Sequence, residues 1–146
     1  MTHEVTINWL DGVAFTSEAD GHSITIDAPF EAGGQNRGIR PKMLILASLG
    51  GCTGVDVVLI LQKMKVKLTS LRIAVEGKLT EHHPKVYETI LVKYYFTGED
   101  LDIAKLEKAI DLSQEKYCGV TAMLRNSVKI SYQIIVNDKE NTDGSL

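Results

Sequence analysis

Met43-Leu44-Ile45-Leu46-Ala47-Ser48-Leu49-Gly50-Gly51-Cys52-Thr53-Gly54-Val55-Asp56-Val57-Val58-Leu59-Ile60-Leu61 is an almost unbroken apolar run, and its reading decides the fold. Pro41 just before it suits a first helical position, where its missing N–H costs nothing. The run approaches the ~20 residues that a bilayer span requires, and Gly50 and Gly54 carry the small-xxx-small spacing of membrane helix pairs. Against a span, Asp56 lies well inside the run, where a carboxylate in hydrocarbon costs roughly 2.5–3.5 kcal/mol. Amphipathic, soluble-looking strands also flank it on both sides. The reading is therefore a soluble protein, not a membrane one, with a long central helix wrapped by sheets. Apolar residues all round such a helix require cover on every side, which a partner subunit supplies naturally. Gly50-Gly51 is expected to weaken the helix, so that Cys52 starts a fresh helical segment. Lys63, Lys65 and Lys67 place positive charge at its C-terminal end, where the macrodipole favours it.

Outward from this run, the flanks alternate at period two. Val5, Ile7 and Trp9, then Val13 and Phe15, then Ile24 and Ile26 form three short runs joined by Asp11-Gly12 and Asp20-Gly21. Asp-Gly supplies the positive φ angles of tight hairpin turns, so residues 1–28 read as an antiparallel meander. Residues 29–40 read as a connecting loop. Its Gly33-Gly34-Gln35-Asn36-Arg37-Gly38 cluster lacks both the Gly-Lys-Ser/Thr ending of a phosphate loop and the dinucleotide-binding spacing. After the helix, Leu71, Ile73 and Val75 mark one strand and Ile90, Val92, Tyr94 and Phe96 another. Glu81-His82-His83-Pro84-Lys85 is the loop between them, and adjacent histidines on a turn point apart rather than converge on a metal. Thr97-Gly98-Glu99-Asp100 reads as a helix start, with helical spacing to about Lys116 and again from Cys118 to Arg125. Val128, Ile130, Tyr132, Ile134 and Val136 form a last strand. Residues 137–146 read as a polar, frayed tail beyond a single domain over 1–136. This order predicts an α+β fold with antiparallel sheets.

Composition excludes several functions. Lys+Arg 16 against Asp+Glu 19 gives a formal charge of -3 without a basic block, which argues against nucleic acid as partner. Two cysteines are too few for a disulfide scaffold and suit a reducing cytoplasm. The N-terminal Met1-Thr2-His3-Glu4 lacks the basic start of a secretory signal. No pattern calls for a cofactor or a metal.

Chemistry is therefore sought at the cysteines. Each is expected at a helix start, where unpaired N–H groups and the positive dipole end favour thiolate over thiol. The plain alternative is that both are small buried hydrophobes. Spacing alone leaves the two readings open.

Gly38-Ile39-Arg40-Pro41-Lys42-Met43-Leu44-Ile45-Leu46-Ala47-Ser48-Leu49-Gly50-Gly51-Cys52 resembles the first cysteine motif of the OsmC/Ohr family. Ala109-Ile110-Asp111-Leu112-Ser113-Gln114-Glu115-Lys116-Tyr117-Cys118-Gly119-Val120-Thr121 resembles the second. His83-Pro84-Lys85-Val86-Tyr87 and the order of elements fit as well, so the resemblance covers nearly all of the chain before the tail. It implies an intertwined homodimer, with long helices buried between sheets of both chains. It also implies a thiol peroxidase, with Cys52 peroxidatic and Cys118 resolving. A dithiol such as dihydrolipoamide or a thioredoxin-like protein would restore both. Leu49, Val55 and Leu59 would bind an organic hydroperoxide, and Arg40, with Arg37 or Lys42, would supply positive charge. Three positions depart from the peroxidase pattern: Lys42 replaces a Glu, residues 1–28 hold no Arg, and Gly119 replaces a Pro. The alternatives are a non-enzymatic dimer that binds a small apolar or electrophilic molecule with its thiols as redox sensor, and a purely structural dimer.

Overall fold

Two tight turns shape the N-terminus, one at Asp20-Gly21 as expected and one at Gly12-Val13, a residue beyond the expected Asp11-Gly12, because Asp11 still pairs with Ala14. In the computed structural model, which describes residues 1–144 and side chains through residue 138, β1 (Thr6–Asp11), β2 (Ala14–Ala19) and β3 (His22–Ile26) form an antiparallel sheet in that order. Asp20 and Gly21 both take positive φ, 49° and 77°, the signature of the hairpin turn that matches strand twist. The loop that follows is more ordered than its glycines suggest. Asp27 is buried, and its carboxylate accepts from the backbone N–H groups of Ala28 (2.8 Å), Gln35 (3.1 Å) and Arg37 (3.1 Å). The Arg37 N–H, helped by those of Ala28 and Gln35 and by the Arg37 side chain, holds this carboxyl below the usual range against the opposing effect of burial. The loop thus spends its N–H groups on its own carboxylate, not on a phosphate. Gly38 has no room for a side chain, since a Cβ would lie 2.2 Å from the Thr25 carbonyl oxygen.

Helix α1 runs unbroken from Pro41 to Lys63. The expected interruption at Gly50-Gly51 does not occur, and Cys52 lies mid-helix instead of at a helix start. Each glycine costs only about 1 kcal/mol against alanine in a helix interior, and close packing at Gly50 and Gly54, though not at Gly51, compensates. A Cβ on Gly50 would come 3.0 Å from Val75 Cγ2, and one on Gly54 2.9 Å from Ile73 Cδ1, so these two positions let the helix lie against the strand that follows. The helix ends where Lys65 adopts a left-handed φ of 57° and Val66 N–H returns to the Leu61 carbonyl at 2.9 Å.

β4 (Ser70–Leu79) and β5 (Tyr87–Thr97) pair as the expected hairpin around the exposed His82-His83 loop. Asp102, not Thr97, starts α2 (Ile103–Leu112): its carboxylate accepts from Ala104 N–H at 3.0 Å. A wide π-type turn (Ser113–Tyr117) and α3 (Gly119–Leu124) lead into β6 (Lys129–Val136). β6 lies parallel to β5, so the second sheet is mixed where antiparallel sheets were expected. The helical crossover explains this, because a parallel neighbour needs a connection long enough to return along the sheet. Residues 139–144 were expected to fray. Their backbone instead forms β7 (Lys139–Gly144), antiparallel to β6 and completing the order β4-β5-β6-β7; residues 145 and 146 lie outside the described residues.

The chain falls into two compact units, Met1–Ile45 and Leu46 to the C-terminus. In the second, Leu49, Thr53, Val57 and Leu61 recur every fourth residue and form the buried stripe of α1. The three apolar members of that stripe join Ile90, Val92, Tyr94 and Phe96 of β5 and Leu106, Ala109 and Ile110 of α2 in one hydrophobic cluster. By length and hydropathy α1 passes for a membrane span, but this stripe makes it the core helix of a globular unit.

Replacing Asp27 by Ala strands three backbone donors. Limited proteolysis of Asp27→Ala is expected to cut within residues 33–38 before the wild type is cut there, and thermal unfolding should begin earlier. Equal cleavage rates would show that the glycine loop holds its shape without the carboxylate.

Candidate functional site

One face of α1 carries Cys52 and, one turn later, Asp56. The wide turn after α2 carries Ser113 and Gln114, both buried, and closes with Cys118 N–H on the Ser113 carbonyl at 2.7 Å. That turn ends at Cys118, which caps α3: its Sγ accepts from Thr121 N–H at 3.4 Å. The result is a cluster in which Cys52 Sγ, Cys118 Sγ and an Asp56 carboxylate oxygen all lie within 4.8 Å of one another. Both cysteines are free thiols. Cys52 and Asp56 are half-buried, whereas Cys118 is only 2% exposed.

Beneath the cluster runs a line of buried hydroxyls. Ser113 Oγ donates to Asp56 Oδ2 at 2.9 Å. Having one proton to give, it accepts from Thr53 Oγ1 at 2.9 Å. Thr53 in turn accepts from Tyr94 OH at 2.7 Å. Tyr94 OH accepts from Gln114 Nε2 at 2.9 Å, and Thr121 Oγ1 donates to Gln114 Oε1 at 3.0 Å. The Arg125 guanidinium binds the Gln114 carbonyl. Each hydroxyl from Tyr94 to Ser113 thus points its proton towards Asp56, so the line is polarised in one direction.

Burial pushes the Cys118 thiol above its ordinary pKa, and the neighbouring Cys52 adds to the rise; the hydrogen bonds from Thr121 oppose it. The helix-start position was expected to favour the Cys118 thiolate, but desolvation wins, and Cys118 is a thiol at neutral pH. Tyr94 is pushed up to about 12, chiefly by burial, against the pull of its bonds to Thr53 and Gln114.

The expected substrate-binding residues divide. Val55 and Leu59 are 62% and 51% exposed. With Gly51, Gly54, Leu71 and Ile73 they line an open apolar groove of roughly 550 Å³. Leu49 is fully buried on the core stripe and faces away from that groove. Arg40 belongs to the first unit, where its guanidinium donates to the Gly38 carbonyl at 3.1 Å. Arg37 is engaged by Asp11 at 2.6 Å and Asp27 at 3.5 Å. Asp56, Ser113, Thr53, Gln114 and Tyr94 were not expected at the site from the sequence. The four-residue step from Cys52 to Asp56 was the available signal, since it puts thiol and carboxylate on one helix face.

Residues 33–133 match the family described as OsmC-like protein. The chain is 33% identical over 135 residues to Protein YhfA of Escherichia coli K12, covering 90% of this chain and 98% of that protein. The crystal structure of a hypothetical protein from Aquifex aeolicus VF5 superposes with a TM-score of 0.80 at 36% identity, covering 94% of this chain and 98% of the other. The organic hydroperoxide resistance protein OsmC of Legionella pneumophila shares the fold at 18% identity, with a TM-score of 0.68 over 93% of this chain and 98% of that one.

Two measurements test the buried line. Thr53→Val keeps shape but leaves polar neighbours short of a partner, and urea unfolding should show a loss of about 1–3 kcal/mol. Tyr94 contributes stability that is complete below the ordinary tyrosine value of 10.0 and is lost as pH rises through about 12. Urea midpoints of the wild type should therefore fall more steeply across that window than those of Tyr94→Phe. Parallel curves would mean that the tyrosine titrates alike folded and unfolded.

Proposed function

Because this chain belongs to the OsmC-like protein family, we propose that it is a thiol peroxidase that reduces organic hydroperoxides with Cys52 and Cys118. The observation that carries the reading is the meeting of two sulfurs from distant parts of the chain, one accessible and one buried. The accessible Cys52, as thiolate, attacks the terminal oxygen of the hydroperoxide. The O–O bond breaks, the alkoxide takes a proton and leaves as alcohol, and Cys52 becomes a sulfenic acid. Cys118, held as a thiol beside it, attacks that sulfur; its proton and the sulfenic hydroxyl leave as water, and a disulfide remains. A dithiol such as dihydrolipoamide or a thioredoxin-like protein then returns both to thiols by exchange. A cycle with that reductant belongs in a reducing compartment, the cytoplasm. Val55 and Leu59 offer an apolar groove on the helix that bears Cys52, which suits an organic hydroperoxide better than hydrogen peroxide.

The working form is a homodimer. Val55 and Leu59 leave α1 with an apolar outer face, and Ile7, Trp9 and Ile24 are similarly uncovered on the first sheet. Exposed apolar side chains on each unit offer association faces. One observation favours a second reading, a non-enzymatic redox sensor or trap. Arg37 is tied to Asp11 and Asp27, and Arg40 to its own loop, so neither is presented as a loose cation for peroxide activation.

Intact mass separates the two. Reduced protein treated with cumene hydroperoxide should lose two hydrogens, and Cys118→Ser should instead gain one oxygen. Turnover with dihydrolipoamide should prefer cumene hydroperoxide to hydrogen peroxide. Oxidation without turnover under any dithiol would favour the sensor; inert thiols at millimolar oxidant would end both readings. Light scattering should give twice the 16.1 kDa chain mass, and Leu59→Glu should shift it towards the monomer.

A further inference from the structure

The peroxidase cycle uses the two sulfurs and leaves Asp56 without a task. Its position is specific nonetheless: one of its oxygens lies within 4.8 Å of both Sγ atoms. From this juxtaposition we propose that Cys52, Cys118 and Asp56 form a binding site for a thiophilic divalent cation of the zinc class, with a fourth position left open to water or a small ligand.

The donor set suits such an ion. Two thiolates select zinc-like cations over magnesium or calcium, which prefer all-oxygen sites. Zn–S bonds of about 2.3 Å and tetrahedral angles put two sulfurs about 3.8 Å apart, within the spread of this cluster. The outer shell is already built. Ser113 fixes the Asp56 carboxylate from below at 2.9 Å, and Thr121 N–H fixes Cys118 Sγ at 3.4 Å, the kind of support that orients ligands before an ion arrives. Cys52 and Asp56 are half-exposed and give the ion a way in. Three protein ligands and an open position are the pattern of zinc sites that accept exogenous groups, whereas structural sites are closed by four. Binding replaces two thiol protons, which leave to solvent, so the ion competes with peroxide for the same sulfurs. The oxidised protein, its sulfurs joined, offers one carboxylate and no site. Metal occupancy and disulfide formation are thus mutually exclusive states of one cluster.

The inference does not require the peroxidase reading, and the test keeps them apart. Reduced, metal-free protein is titrated with Zn²⁺ by calorimetry, and separately with Co²⁺ under absorbance. One equivalent should bind per chain. Cobalt should show intense thiolate charge-transfer absorption together with the strong visible bands of a four-coordinate ion. Asp56→Asn should weaken binding by at least the roughly tenfold that loss of even an outer-shell partner costs. Cys118→Ala should abolish the charge-transfer share of one thiolate, and diamide-oxidised protein should bind nothing. The proposal is overturned by a pale octahedral cobalt spectrum, by binding that survives oxidation, or by Asp56→Asn binding as tightly as wild type. The wild-type spectrum decides even if a variant fails to fold. Peroxide-driven disulfide formation is measured on metal-free protein, so either idea can fail while the other stands.

Discussion

The line of buried hydroxyls from Tyr94 through Thr53 to Ser113 is the constraint on which the candidate site depends. It joins a strand, a helix and a wide turn that are far apart in sequence, and it ends on the carboxylate beside both sulfurs. Burying three hydroxyls and an amide is costly unless each finds a partner. Among the described residues every buried side-chain polar atom has one. A shift that left any member unpaired would cost the desolvation of that group, so the line holds α1, β5 and the turn in a single relative arrangement. That arrangement sets the distance between Cys52 and Cys118.

Two further features keep the arrangement possible. Gly50 and Gly54 allow α1 to approach the side chains of Ile73 and Val75, which bulkier residues would push away. The wide turn after α2 closes over five residues, not four, with Cys118 N–H on the Ser113 carbonyl, and it carries both Ser113 and Gln114 buried. The helical crossover then brings β6 in parallel beside β5, and Cys118 falls at the start of the short helix between them.

Much of this was legible in advance. Alternating residues marked six strands, Asp-Gly marked two hairpins, and the two cysteine motifs marked the family. What failed did so for tertiary reasons. Gly50-Gly51 read as a helix break because glycine weakens helices, yet the packing of Gly50 and Gly54 against Ile73 and Val75 outweighs that cost. Leu49 read as a substrate contact because it adjoins Cys52 in sequence, but it lies on the stripe with Thr53, Val57 and Leu61. Residues 139–144 read as frayed because polar residues carry no burial signal; an edge strand is held by backbone hydrogen bonds, which composition does not report.

Local chemistry alone determined six of the strands, the two N-terminal hairpins and which two thiols carry the family motifs, because period, turn residues and motif spacing are written along the chain. Tertiary structure decided the rest: which face of α1 is core, that Cys52 sits mid-helix, and that Asp56 joins the thiols. It also decided that desolvation outweighs the helix start at Cys118. These depend on neighbours brought from elsewhere in the chain, and burial, hydrogen-bond satisfaction and proximity exist only once those neighbours have met.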